Sequence, residues 1–198
     1  MTLVDPDSDR DLVTRLRAGD PGAFDEVHGR FHGRLFGFLA RLARSRDVAE
    51  DLLAETWLRL VARGTTLRPD TQIGPWLFTV ARNLYVSYCR SRFLETGHAD
   101  DLLALWPAGC HQPSPLEETA ASETEHRIEA ALAALPVAYR EVLLLVGVEG
   151  MQPSEAAAIC GVTPEALRQR LHRARTMLSD RLTHPNGAAL TPAREVVS

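Results

Sequence analysis

Five arginines stand between Glu165 and Leu182, and four of them, Arg168, Arg170, Arg173 and Arg175, share eight positions with Gln169 and His172. Guanidinium groups present fixed forks of N–H donors that match phosphate oxygens and base edges, and an amide adds a donor and an acceptor. The chemistry available to such a helix is recognition rather than bond making: base edges for the residues of its first turns, phosphates for the flanking arginines. Arg168 and Gln169 are therefore assigned to bases, and Arg170, Arg173 and Arg175 to the backbone, with Glu165 and His172 on the same outward face. An Arg-rich helix that merely faces water would show the same charges, so the flanking elements have to decide.

Those elements read as a helix-turn-helix. A short helix over Ser154 to Cys160 presents Ala156, Ala157 and Ala158, small enough for a second helix to cross closely. Gly161 follows where that helix must stop, in a position suited to a left-handed cap. Thr163 is a good N-cap, Pro164 fits the first helical position, and Glu165 favours the positive end of the helix dipole. Leu167, Leu171, Ala174 and Leu178 recur at helical spacing as the buried stripe.

Upstream, the segment from Ser8 to Phe93 reads as a short helix followed by helices over Pro21 to Ala43, Asp47 to Arg63 and Pro75 to Phe93. In the third of these four, Ala49, Leu52, Leu53, Thr56, Trp57 and Leu60 pack inward. Asp47, Asp51 and Glu55 form an acidic stripe spaced four apart, with Leu58 exposed beside it. Such a stripe suits a basic protein partner better than DNA. In the last, Leu77, Val80, Ala81, Leu84 and Tyr88 form the expected core stripe, with Trp76 and Tyr85 as core or interface aromatics. The opposite face is expected to hold Phe78, Thr79, Arg82, Asn83, Val86 and Arg90. Arginine, amide and aromatic groups on one surface suit single-stranded or melted DNA.

Composition narrows the remaining classes. All 22 basic residues are arginine, yet the net charge is -4, so nucleic-acid contact has to come from local patches rather than the summed field. Three cysteines, Cys89, Cys110 and Cys160, show no paired spacing, which points to a reducing compartment and away from a disulfide framework or zinc. His98, Cys110, His111 and His126 lack ligand spacing, so neither a metal nor another cofactor is expected, and no catalytic residue is assigned. The N-terminus is acidic without an apolar leader, and Val142 to Val148 falls far short of the roughly 20 residues of a membrane span, so a soluble, cytoplasmic protein is expected. No alternating strand pattern occurs. The expected fold is all-α: a helical bundle over 8–94, an acidic flexible linker over 95–122, a helix-turn-helix domain over 123–183, and a disordered tail over 184–198. The linker is arginine-free and carries an apolar knot at Leu102, Leu103, Leu105 and Trp106.

Taken together, these segments resemble a bacterial extracytoplasmic-function sigma factor. DVAEDLLAETWLRL resembles the helix that grips the clamp helices of the polymerase β′ subunit, PWLFTVARNLYVSYCRSR the helix that opens and reads the −10 promoter element. LPVAYREVLLL, the helix-turn-helix and RLHRAR resemble the domain that reads the −35 element. The resemblance implies core-polymerase contacts at Asp47, Asp51, Glu55 and Leu58, and −10 contacts at Phe78, Arg82, Asn83, Val86 and Arg90. It places −35 contacts at Glu165, Arg168, Gln169, Arg170, His172, Arg173 and Arg175. The implied partners are RNA polymerase core (β′ clamp helices and β flap), promoter DNA and an anti-sigma factor, often membrane-anchored, with no small-molecule substrate. The sequence departs from the family pattern at Ala54, which replaces a common glutamine, at Pro164-Glu165-Ala166-Leu167, which replaces the usual Gly-Thr-Val, and in the loop Arg63 to Gly74, so the promoter sequence does not carry over. The alternative is a helix-turn-helix regulator whose N-terminal helices sense a ligand or dimerise.

Overall fold

The computed structural model describes residues 6–95 and 123–184, and within them all regular structure is helical. The apolar knot at Leu102–Trp106 and the tail beyond His184 lie outside the described residues. Four helices precede the gap: α1 (Pro6–Arg17), α2 (Pro21–Ala43), α3 (Arg46–Arg63) and α4 (Ile73–Glu95). Four follow it: α5 (Glu123–Ala133), α6 (Val137–Leu143), α7 (Pro153–Cys160) and α8 (Pro164–Thr183). A wider, π-type turn over Leu144–Val148 extends α6.

Local chemistry sets the helix ends. Before α2, the Asp20 carboxylate accepts from the Gly22 N–H at 2.9 Å and Pro21 fills the first helical position. Ser45 caps α3 through the Val48 N–H. In the helix-turn-helix, the Glu155 carboxylate accepts from the Gln152 N–H at 2.8 Å, and Gly161 stops α7 at φ 65°. Thr163 then caps α8 through the Ala166 N–H at 3.2 Å, ahead of Pro164. The tight corner between α7 and α8 thus has the expected chemistry at each position.

α1 to α4 enclose a core built on Phe31, Leu35, Phe38, Leu60, Leu77 and Phe78, each at most 1 % exposed. Phe38 and Phe78 meet edge to face, with centroids 5.3 Å apart. The inward residues expected of α3, from Ala49 to Leu60, are all buried. Asp9 ties α1 to the start of α4: it pairs with Arg30 at 3.3 Å and accepts from the Ile73 N–H. α6, α7 and α8 close a second cluster around Val142, Leu145, Ala156, Ile159, Leu167 and Ala174, with Leu132 and Leu135 joining from the α5 side. The buried residues of both halves form one continuous apolar cluster, because α4 packs against α7 and α2 against α6.

Arg140 on α6 stitches this junction. It is 3 % exposed, and all five guanidinium N–H groups donate to backbone carbonyls. Nε reaches Leu132 O and Nη2 reaches Ala133 O and Leu135 O, at the end of α5; Nη1 reaches Arg41 O and Leu42 O, at the end of α2. Two helix C-termini carry the partial negative charge that a buried cation needs, without any carboxylate. Burial pushes its pKa down to about 10, so it stays charged at neutral pH.

Phe78→Ala should remove about 3–5 kcal/mol of stability in urea unfolding, the cost of emptying an aromatic core site, whereas Leu58→Ala on the exposed side of α3 should stay within about 0.5 kcal/mol. Similar small losses for both would contradict the packing described.

Candidate nucleic-acid interface

α8 presents one face to solvent. Leu167, Leu171 and Ala174 are buried, and Glu165, Arg168, Gln169, His172, Arg173 and Arg175 are exposed. Leu178, expected in the buried stripe, is half-buried. Glu165 and Arg168 form an ion pair on that surface, and the hydrogen bond from Arg168 holds the Glu165 carboxyl below its usual range. Arg170 differs from its neighbours: it is half-buried, and its charge acts on Glu141 at the junction between the two halves.

The second expected face, on α4, needs correction. Phe78 is 0 % exposed and Val86 8 %, so neither reaches solvent. Asn83 and Arg90 are exposed as expected. Arg82 points to the junction, where its Nε donates to Glu141 Oε1 at 2.7 Å, with side-chain exposures of 16 % and 2 %. The cause is two-sided packing. α4 lies on α2 and α3 along one side and against α7 along another, which leaves a narrower exposed strip than a helix packed once. Tyr85, at 2 % exposure, belongs to the core, and Trp76 is half-buried.

On α3, Asp47 and Asp51 are exposed, and Glu55 is half-buried and pairs with Arg59 at 2.8 Å. Leu58 is 63 % exposed, and Val61, three residues on, is 64 % exposed, so the acidic stripe borders an apolar edge of two residues. Val61 was absent from the sequence reading, although its spacing from Leu58 places both on one helical face.

Between these surfaces lies the junction. Besides Arg82–Glu141, Arg34 Nε meets Glu149 Oε2 at 2.9 Å and Arg41 Nε meets Glu129 Oε1 at 2.8 Å. Arg34 also lies over the rings of Phe31 and Phe78. Every one of these pairs joins an arginine of the first half to a glutamate of the second. Burial raises the Glu141 carboxyl above its ordinary range, against the opposing pull of Arg82. The same burial, together with the charge of Glu141, raises the Cys160 thiol, so it is an inert core group rather than a nucleophile. Arg140 and Glu141 were not among the expected functional residues. The signal was present as a charged pair inside the apolar run LPVAYREVLLL, where burial demands partners.

Comparison with known proteins agrees with this geometry. The model of sigma-70 region 2 matches residues 28–93, and that of sigma-70 region 4 matches residues 125–178. Two such helical regions in this order define a sigma-70-type chain. Among curated proteins, the ECF RNA polymerase sigma factor EcfG of Rhodopseudomonas palustris is 39 % identical over 145 residues, covering 73 % of this chain and 77 % of that one. The RNA polymerase sigma factor CarQ of Myxococcus xanthus is 32 % identical over 161 residues, covering 81 % and 90 %. The chain belongs to the extracytoplasmic-function family of RNA polymerase sigma factors. Among solved structures, the sigma factor RpoE in complex with the anti-sigma factor NepR, from Bartonella quintana, aligns with a TM-score of 0.69 at 26 % identity, covering 83 % of this chain and 98 % of that one. CnrH in complex with the cytosolic domain of CnrY aligns with a TM-score of 0.65 at 23 % identity, covering 90 % and 99 %, and shares the fold. Among the described residues, no helix is long and apolar enough to cross a membrane.

The raised Glu141 pKa has a defined sign. An acid whose pKa is higher in the folded state binds its proton more tightly there, so its contribution favours folding at low pH and is lost as pH rises from about the ordinary value of 4.5 toward the raised one. Measured by urea unfolding between pH 4.5 and 7.5, the wild type should lose stability relative to Glu141→Gln as pH increases. A difference that stays constant or runs the other way would show that Glu141 is not held in this environment.

Proposed function

We propose that this chain directs RNA polymerase core to promoters through three surfaces. The acidic stripe of α3, Asp47, Asp51 and Glu55, with Leu58 and Val61 beside it, docks on the polymerase. The outward face of α8 reads the −35 element, Arg168 and Gln169 at base edges and Arg173 and Arg175 at phosphates. Asn83 and Arg90, joined by Arg82, engage the opening strand at −10. Phosphodiester synthesis belongs to the polymerase, and no reaction is assigned to this chain. It works in the cytoplasm with polymerase and promoter DNA, and an anti-sigma factor restrains it. The observation that carries this reading is the exposed, capped α8 face in a chain whose two halves match sigma-70 regions 2 and 4 in order. Support for the restraining partner comes from the related sigma factor of Bartonella quintana, solved with its anti-sigma factor.

Two experiments test it. Double charge reversal, Asp51→Arg with Glu55→Arg, should weaken binding to purified polymerase core at least tenfold, whereas unchanged affinity would remove α3 from the contact. Within the assembled holoenzyme, Arg168→Ala should relax preference at one base pair at a cost of about 1–3 kcal/mol, and Arg173→Ala should weaken all promoters alike. If both act uniformly, the division between base and phosphate contacts is wrong.

A further inference from the structure

His28 and His32 stand four residues apart on α2, in the run His-Gly-Arg-Phe-His-Gly, and none of the three proposed surfaces uses them. Residues at that spacing lie one above the other on a helix. Their imidazole rings have centroids 4.5 Å apart and are tilted by 44°. Both lie beside the indole of Trp57 from α3, at 4.8 and 6.3 Å, and Phe24 flanks His28 at 6.2 Å. Trp57 is buried, His28 half-buried and His32 exposed. The pair therefore has an aromatic floor and an open outer side. A glycine follows each histidine, and a Cβ added at Gly29 or Gly33 would meet nothing within 4 Å, so no side chain crowds the approach. Asp25, one turn before His28 and exposed, adds negative charge on that face.

Neutral imidazole is the commonest protein ligand for late transition metals, and two histidines one turn apart on a helix face can chelate one ion. The spacing of the rings decides which ion fits. With a metal–nitrogen bond of about 2.0–2.1 Å and a ring radius of about 1.1 Å, each centroid lies about 3.2 Å from the ion. Two rings in cis positions, at about 90°, then have centroids about 4.5 Å apart, whereas a tetrahedral angle needs about 5.2 Å. The observed 4.5 Å matches the cis arrangement. Rotation about χ2 is soft for imidazole; it turns a nitrogen of each ring toward one point and leaves the centroids nearly in place. Among the described residues, no group of three or more His, Cys, Asp or Glu side chains could hold a metal ion, so water must complete the coordination. We propose that His28 and His32 form a two-imidazole clamp for a tetragonal divalent ion, copper or nickel, on the outer side of α2. Chelation there staples two successive turns of a helix that Gly29, Gly33 and Gly37 make intrinsically weak.

Untagged full-length protein, titrated with Ni2+ by calorimetry and with Cu2+ under electron paramagnetic resonance, tests the clamp. One ion should bind per chain, and the Cu2+ spectrum should be tetragonal with coupling to two nitrogens. Ni2+ at about 100 times its Kd should raise Tm by about 5–10 °C, as expected of an ion held by the folded helix alone. His28→Ala and His32→Ala should each weaken Ni2+ binding at least about tenfold, which at the same Ni2+ concentration cuts the Tm rise by about half. His32→Ala with Gly33→His keeps the number of histidines but moves the second ring off the row, and it should not restore binding. Should His28→Ala lose helicity by circular dichroism, His32→Ala, at an exposed position, is judged alone. Ni2+ affinity unchanged in His32→Ala, or recovered by Gly33→His, overturns the clamp, because the ion then sits on other histidines or binds adventitiously. Zn2+ should bind at least about fivefold more weakly than Ni2+, and equal affinity overturns the tetragonal assignment.

Discussion

A single buried cation organises the junction on which the relation of the two halves depends. Arg140 sits among the ends of α2, α5 and the start of α6, where carbonyls at the helix ends converge. Those carbonyls would be costly to bury unpaired, and so would the guanidinium. Brought together, each satisfies the other, five donors against five acceptors. Beside it, Arg44 ends α2 in the left-handed region at φ 58°, which is strained for a residue other than glycine. Lysine could not substitute geometrically, because three rotating donors do not reach five fixed carbonyls.

Around this staple the polarity of the interface is consistent. Arginines lie on the α2 and α4 side and glutamates on the α5, α6 and π-turn side, so the halves attract in one register. Ion pairs of this kind seldom add much net stability when buried, because desolvation offsets most of their attraction. Their contribution is orientation.

Much of the fold was legible in advance. The four helices before the gap, the inward face of α3 and the chemistry of the α7–α8 corner all follow from short-range rules, and Asp20, Ser45, Gly161 and Thr163 occupy the cap positions those rules require. The outward face of α8 was legible for the same reason, since it packs on one side only. α4 was misread at Phe78 and Val86. Its apolar residues nearly encircle the helix, so periodicity alone could not say which side met solvent. Arg140 and Glu141 stand out in the sequence as charges inside an apolar run, but which groups pair with them depends on how α2 and α4 dock.

The sequence by itself determined the helical class, the helix ends, the helix-turn-helix and the family, since each rests on residues within a few positions of one another. The tertiary structure decided which of the candidate DNA residues are accessible. Arg82 is separated from Glu141 by 59 positions, and Arg34 from Glu149 by 115. Pairings over such distances depend on how whole helices dock, and docking follows from the summed burial of many side chains rather than from any local pattern. That is why α8 could be read as an exposed surface from its own residues, while the surface of α4 could be read only with the other half of the chain in place.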